Sequence, residues 1–334
     1  MAEHILQVDD LGVRFDTEEG RIQAVDGVSF TLSEGETLGI VGESGSGKSV
    51  TSLALMGLVP SPPGKICGGR ALYRGEDLLV MKSRRLSKIR GNRIAMIFQD
   101  PMTSLNPYMT IADQLTEVTI THLGHSRREA LRHAIEMLEQ VGIPSASRRI
   151  YGYPHEFSGG MRQRVMIAMA LSCQPDILIA DEPTTALDVT IEAQILELMK
   201  QLQQSQGTAI IMITHDMGVV ANLCHRVHVM YAGKIVEQAG CDELFSKPRH
   251  PYTLGLLESV LRLTQDAKSR LVTIDGQPPD LADLPIGCAF EPRCRFATSQ
   301  CREEQPPLRG EEGADHFACF VDITKQAPGG DSHA

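Results

Sequence analysis

The segment Gly42-Glu43-Ser44-Gly45-Ser46-Gly47-Lys48-Ser49 constrains this chain more than any other. It fits the pattern GxxxxGK[ST], in which glycines let consecutive backbone N–H groups turn inward and cradle phosphate oxygens. Ahead of it, Thr37 to Val41 is a short apolar run suited to a buried strand, and behind it Val50 to Met56 continues as a helix. Strand, glycine-rich turn and helix in that order aim the positive end of the helix at a bound phosphate. Lys48 is then placed to neutralise the β- and γ-phosphates of a nucleotide, and Ser49 to offer its hydroxyl to Mg²⁺. The expected cradle comprises Gly42, Ser44, Gly45, Gly47, Lys48, Ser49 and Val50.

Further short buried strands are legible at Ile94 to Phe98, Ile177 to Ala180 and Ala209 to Thr214, with helical patterns between them. That alternation predicts an α/β fold built on a parallel sheet with crossover helices. The clearest helix runs from Ser126 to Val141: Ser126 and Glu129 form a capping box, Leu131, Ile135 and Leu138 share a face, and Gly142 and Pro144 stop it. Val227 to Tyr231 and Ile235 to Gln238 flank Ala232-Gly233-Lys234 as a closing hairpin. Near Phe245 prolines multiply and periodicity fades, so a domain boundary is placed there, giving units 1–245 and 246–334; the polar, Gly-rich tail after Gln326 is expected to fray.

The run Ile177-Leu178-Ile179-Ala180-Asp181-Glu182 is an apolar strand that ends in two acids. A buried strand delivers such carboxylates to its C-terminal edge, where open α/β sheets bind ligands. Asp181 would hold Mg²⁺ through water, and Glu182 would orient or deprotonate an attacking water.

Between these halves lies Phe157-Ser158-Gly159-Gly160-Met161-Arg162-Gln163-Arg164, which resembles the signature motif of ABC ATPases, usually LSGGQ. Ser158 caps a helix whose glycine-lined start, Gly159 and Gly160, can approach a phosphate closely. The resemblance implies a P-loop NTPase fold of the ABC type, with antiparallel β and helical subdomains beside the main sheet. It also implies that this helix completes the site of an opposing subunit, two ATP molecules being sandwiched between two such domains. Met161 stands where the family usually has Gln, and the main-chain donors and Ser158 are left to bind phosphate. By the same resemblance Phe15 stacks on adenine, although core packing competes for that aromatic ring; Gln99 contacts Mg²⁺ and senses the membrane subunit; Ala186-Leu187-Asp188 crosses the dimer interface; and His215 contacts the γ-phosphate. Glu182, His215 and Gln99 thus form the expected catalytic group, and Ser49, Gln99 and Asp181 the expected Mg²⁺ donors of an ATPase.

Three segments resemble the peptide and nickel importer group in particular: Gln99-Asp100-Pro101-Met102-Thr103-Ser104-Leu105-Asn106-Pro107, Tyr153-Pro154-His155-Glu156-Phe157, and Pro248-Arg249-His250-Pro251-Tyr252-Thr253. The last reads as a structural seam fixed by its prolines, with His250 a hydrogen-bonding residue and not a metal ligand. The group implies an assembly of two membrane-spanning subunits, two homologous ATPases that are commonly different chains, and an external binding protein. Peptides are the expected cargo, with nickel complexes and glutathione-like peptides open. A soluble ABC ATPase of translation or repair is the other class, but such chains usually carry two nucleotide domains and only one phosphate loop occurs here.

Composition agrees with that placement. A net charge of −10 argues against a nucleic-acid partner. No apolar stretch approaches the roughly 20 residues of a membrane span, and Met1-Ala2-Glu3-His4 lacks the layout of a signal peptide, so a peripheral position on the cytoplasmic face of the membrane is expected.

Of eight cysteines, Cys67, Cys173, Cys224 and Cys241 are scattered, while Cys288, Cys294, Cys301 and Cys319 crowd the last fifth of the chain. Their spacings of five, six and seventeen intervening residues contain no CxxC knuckle of the zinc type. Members of the importer group with these four cysteines are implied to bind a 4Fe–4S cluster through four thiolates. The spacing alone leaves zinc, free buried thiols and disulfides open. A cluster could staple an extension with little core of its own or could sense redox state, and the structural role is the expected one, since no electron-transfer partner motif is visible. His316 is expected at the surface.

Overall fold

The computed structural model describes residues 4–18, 20–100, 104–184, 187–261, 274–310 and 315–325. Pro101 to Thr103, Ala186, the first three residues and the tail from Gln326 lie outside the described residues. The strands are β1 His4–Thr17, β2 Gly20–Ser33, β3 Thr37–Val41, β4 Gly64–Tyr73, β5 Glu76–Asp77, β6 Ile94–Ile97, β7 Ile177–Asp181, β8 Ala209–Thr214, β9 Arg226–Tyr231, β10 Lys234–Gly240 and β11 His316–Phe317. They form two sheets, a four-stranded one in the order β2-β1-β4-β5 and a seven-stranded one in the order β11-β10-β9-β3-β8-β7-β6.

The small sheet is antiparallel. In the large sheet β9, β3, β8, β7 and β6 run parallel, and β10 and β11 add an antiparallel edge. The parallel strands are buried on both faces, which explains why they read as continuous apolar runs and not as alternating ones. Pleating divides each strand between two cores. Leu38, Ile40, Ile177, Ile179, Ile211 and Ile213 join a cluster with the antiparallel sheet and the helix Lys48–Leu55. Leu178, Ala180, Ile210 and Met212 join the other cluster, with the helices Ile111–Leu123, Arg127–Gln140 and Gly159–Leu171. The nucleotide motifs therefore hang from a sheet clamped on both sides.

The capping box expected at Ser126 and Glu129 is present, and the helix runs Arg127–Gln140. The β9–β10 hairpin turns through Ala232 and Gly233, with φ of 49° and 78°. Both central residues thus have the positive φ of the hairpin turn whose twist matches its strands.

The C-terminal segment packs onto this body. Tyr252, Leu257 and Phe290 belong to the same buried cluster as the helical face of the sheet. β11 extends the sheet by pairing Phe317 with Glu237 and His316 with Gln238, so His316 is half-buried in a strand instead of lying free at the surface. Among the described residues, no helix is long and apolar enough to cross a membrane.

Candidate functional site: a nucleotide site at the edge of the parallel sheet

Strand register assembles the site. Val41 pairs with Thr214, Ile213 with Asp181, and Ala180 with Ile97, so the three strands beside β3 end level with it. The residues just past those ends are Gly42, His215, Glu182, and, two positions on, Gln99. Residues more than a hundred positions apart in sequence thereby meet along one edge.

The loop 42–49 bends tightly. Gly42 and Gly47 adopt φ of 152° and 101°, and a Cβ at either would stand 2.2 Å from the Met230 carbonyl oxygen or 2.3 Å from that of Ala24. Only glycine admits that approach. Lys48 Nζ donates to the carbonyls of Gly42 at 2.7 Å and Glu43 at 2.8 Å, and to Ser46 Oγ at 3.3 Å. Burial pulls its pKa down, while the charges of Glu182, Asp181 and Glu43 push it back up. Ser44 and Gly45 are exposed at the tip, and Ser49 and Val50 are half-buried at the helix start.

Ser49 Oγ donates to Asp181 Oδ1 at 3.1 Å. Two oxygen donors thus stand side by side, of the kind a magnesium ion could take from protein while keeping waters and phosphate oxygens. Burial is the largest influence on Asp181 and raises its pKa; the Ser49 hydrogen bond lowers it, the Glu182 charge raises it and Lys48 lowers it. A buried carboxylate of that kind gains from a cation.

Glu182 links the rest. One carboxylate oxygen accepts from Gln99 Nε2 at 2.9 Å, and the other lies 3.1 Å from His215 Nδ1. Its φ of 48° turns the chain sharply out of β7 and toward the loop. For a residue with a Cβ that conformation is strained, and such strain gathers at working sites. The side chain of Glu182 is 14% exposed and that of His215 63%, so the pair is reached from solvent on the histidine side. The arrangement can orient a water against a phosphate held by the loop.

The other expected residues are placed differently. Phe15 lies in β1 opposite Ile22 and Gly64, half-buried against the antiparallel core. Ser158 caps the helix Gly159–Leu171, accepting from the Met161 N–H at 3.4 Å, and Asp188 caps Val189–Gln206 by accepting from Ile191 N–H at 3.0 Å. Among the described residues no hydrogen bond ties Ser158, Gly159, Gly160 or Asp188 to the loop 42–49. A residue that sequence reasoning passed over is Gln163, fully buried, whose amide donates to the Pro183 carbonyl beside Glu182. A buried amide inside a helix pattern was its signal.

Cys288, Cys294, Cys301 and Cys319 all border one small cavity, walled by Phe290, Phe296 and Phe320, and none is in a disulfide. Burial raises the thiol pKa of Cys288 and Cys319, and pushes that of Cys294 up to about 11. Among the described residues, however, no three His, Cys, Asp or Glu side chains stand close enough to hold a metal ion. The four side chains would have to draw closer together to share one.

Residues 25–185 match the family described as ABC transporter, and residues 236–301 match the oligopeptide/dipeptide transporter C-terminal region. The chain is 55% identical over 304 residues to the oligopeptide transport ATP-binding protein OppD of Bacillus subtilis, covering 91% of this chain and 85% of that one. The chain belongs to the ABC transporter family of ATP-binding proteins. This ABC ATPase is also 53% identical over 319 residues to OppD of Salmonella typhimurium, covering 96% and 94% of the two chains. A dimeric ATP-binding cassette solved in a post-hydrolysis state with ADP and Pi superposes with a TM-score of 0.65 at 28% identity, over 71% of this chain and 98% of that one. The fold expected from the motifs is the one observed.

Proposed function

We propose that this ABC ATPase is a subunit of an importer that couples ATP binding and hydrolysis to uptake of peptides. The observation that carries the reading is one chain holding both an assembled nucleotide edge and the oligopeptide/dipeptide transporter C-terminal region. Near full-length likeness to proteins named for oligopeptide transport supports the same cargo class.

In this reading the loop 42–49 and Lys48 receive the phosphates, Lys48 exchanging its loop carbonyls for the β- and γ-oxygens. Ser49, Asp181 and Gln99 would hold Mg²⁺, which supplies charge neutralisation between the phosphates. Glu182 orients and deprotonates water, with Gln99 and His215 fixing its two oxygens. Ser158, Gly159, Gly160 and Asp188 serve the site of an opposing subunit, in keeping with the lack of a hydrogen bond among the described residues between them and this chain's own loop. Phe15 faces adenine. Residues 1–245 act as the nucleotide unit and 246–334 as its extension. The partners are a second, homologous ATPase in a heterodimer, two membrane-spanning subunits and an external binding protein, with this chain on the cytoplasmic face. The four cysteines are read as ligands of a 4Fe–4S cluster on the family resemblance and on their lining one apolar-walled cavity, with zinc the alternative.

The test is gentle solubilisation of membranes carrying the tagged chain, followed by mass spectrometry of stoichiometric partners. Two polytopic proteins and a second ATPase are expected; a soluble isolate, or one bound to ribosomes or repair proteins, would overturn the transport reading while leaving the ATPase standing.

A further inference from the structure

Glu43 is the residue of the phosphate loop that electrostatics would least choose. It puts a carboxylate between Gly42 and Ser44, in a loop that must receive a polyanion. The C-terminal segment deals with it. Arg293 donates to both carboxylate oxygens, Nη1 to Oε2 at 2.6 Å and Nη2 to Oε1 at 2.9 Å. The Arg293 side chain is only 5% exposed, and its remaining donors are spent on the Asp275 carbonyl at 3.0 Å, the Tyr231 hydroxyl at 3.3 Å and the Ile274 carbonyl at 3.4 Å. The backbone N–H of Glu43 donates in turn to the hydroxyl of Tyr252 at 2.7 Å, and Tyr252 is fully buried. One loop residue is thus held at both its main chain and its side chain from beyond residue 250.

We propose that Arg293 and Tyr252 are positioning residues of the nucleotide site, which keep the phosphate loop in its receiving shape and cancel the Glu43 charge. The bidentate fork fixes the carboxylate's direction as well as its charge, which a lysine would not do. The contact also joins two parts of the chain that sequence alone separates. Arg293 ends the turn Glu291–Arg293, and the next residue is Cys294 of the four-cysteine cavity. Pro278, Pro279 and Leu281 lie over the same loop, bordering a cleft with Ser44 and Gly45. The extension is therefore part of the nucleotide site's support.

The inference rests on the loop 42–49 being the ATP site, and Lys48→Ala checks that separately: it should abolish ATP binding whatever Arg293 does. With the full assembly, Arg293→Met should raise the KM for ATP about tenfold while kcat changes less than about threefold, a loss of roughly 1.4 kcal/mol in binding. Adding Glu43→Gln to Arg293→Met should recover most of that loss, because the uncompensated charge is gone. Tyr252→Phe, which removes one acceptor and little else, should raise KM about threefold. An unchanged KM in Arg293→Met, or a double variant as impaired as the single, would overturn the proposal. If Arg293→Met fails to fold, Tyr252→Phe decides alone, and wild-type KM there overturns it.

Discussion

Glu182 carries a visible structural cost at the nucleotide edge. It combines a left-handed backbone, a mostly buried carboxylate, and hydrogen bonds at both oxygens. A merely structural acid would satisfy its oxygens without that backbone strain. Substitution by Gln keeps the shape and most hydrogen bonds but removes the base. The expected result for Glu182→Gln is ATP binding within about threefold of wild type and turnover reduced at least about 100-fold, the usual range for a lost general base. Nucleotide retained on the purified complex and phosphate released per minute would be measured side by side. Normal steady-state hydrolysis would remove Glu182 from the catalytic role and leave its strain unexplained.

At the scale of elements, the C-terminal cysteine lobe is built of short pieces. Its pieces are the turn Glu291–Arg293, the short helix Ser299–Glu303 and the two-residue β11. What joins them is a ring of contacts around the shared cavity: Cys288 N–H donates to the Cys301 carbonyl at 2.8 Å, and the Arg309 guanidinium donates to the Cys319 carbonyl at 2.7 Å. Elements this short gain from a bound centre that folds with them. Anaerobically purified protein is expected to carry about four irons per chain, as a 4Fe–4S cluster requires, with the matching visible absorption. Cys294→Ser should lower the iron content and loosen the lobe to proteolysis. Full iron loading in that variant would remove Cys294 from the ligand set, and stoichiometric zinc in wild type would replace the cluster.

For the molecule as a whole, acid stability should depend on a histidine buried in the sheet. His228 in β9 is 2% exposed, packs edge-on against Phe30 at 6.0 Å, and its Nδ1 has no hydrogen-bond partner among the described residues. Burial, reinforced by the Arg226 and His316 charges, lowers its pKa to about 3. The unfolded chain takes up a proton near pH 6.5 that the folded chain refuses until about pH 3, so stability is lost as pH falls through that window. The slope for one such group is about 1.4 kcal/mol per pH unit. Urea unfolding at pH 6 and pH 5 should therefore show a drop that is smaller by about this amount in His228→Leu. Equal drops in the two proteins would mean that His228 is protonated in the fold.

The local chemistry could be read directly. The strand Thr37–Val41, the loop after it, the acids closing β7 and the capping box at Ser126 are short-range patterns, and a short-range pattern needs only neighbours in sequence to have its physical meaning. The long antiparallel strands β1 and β2 were harder to place one by one. Register shifts near Leu11 and Val13 break their alternation, and a period of two is then no longer continuous along the chain. Four thiols could be counted, but their common cavity could not be derived from spacing, because it is closed by Phe290, Phe296 and Phe320 from different turns. Glu43 shows the division most clearly. Sequence alone determined that a carboxylate would sit inside the phosphate loop; only the tertiary structure decided that it is neutralised, since Arg293 arrives from 250 residues away along the chain. Such a pairing is set by which surfaces pack together, and packing is a property of the folded body rather than of any segment within it.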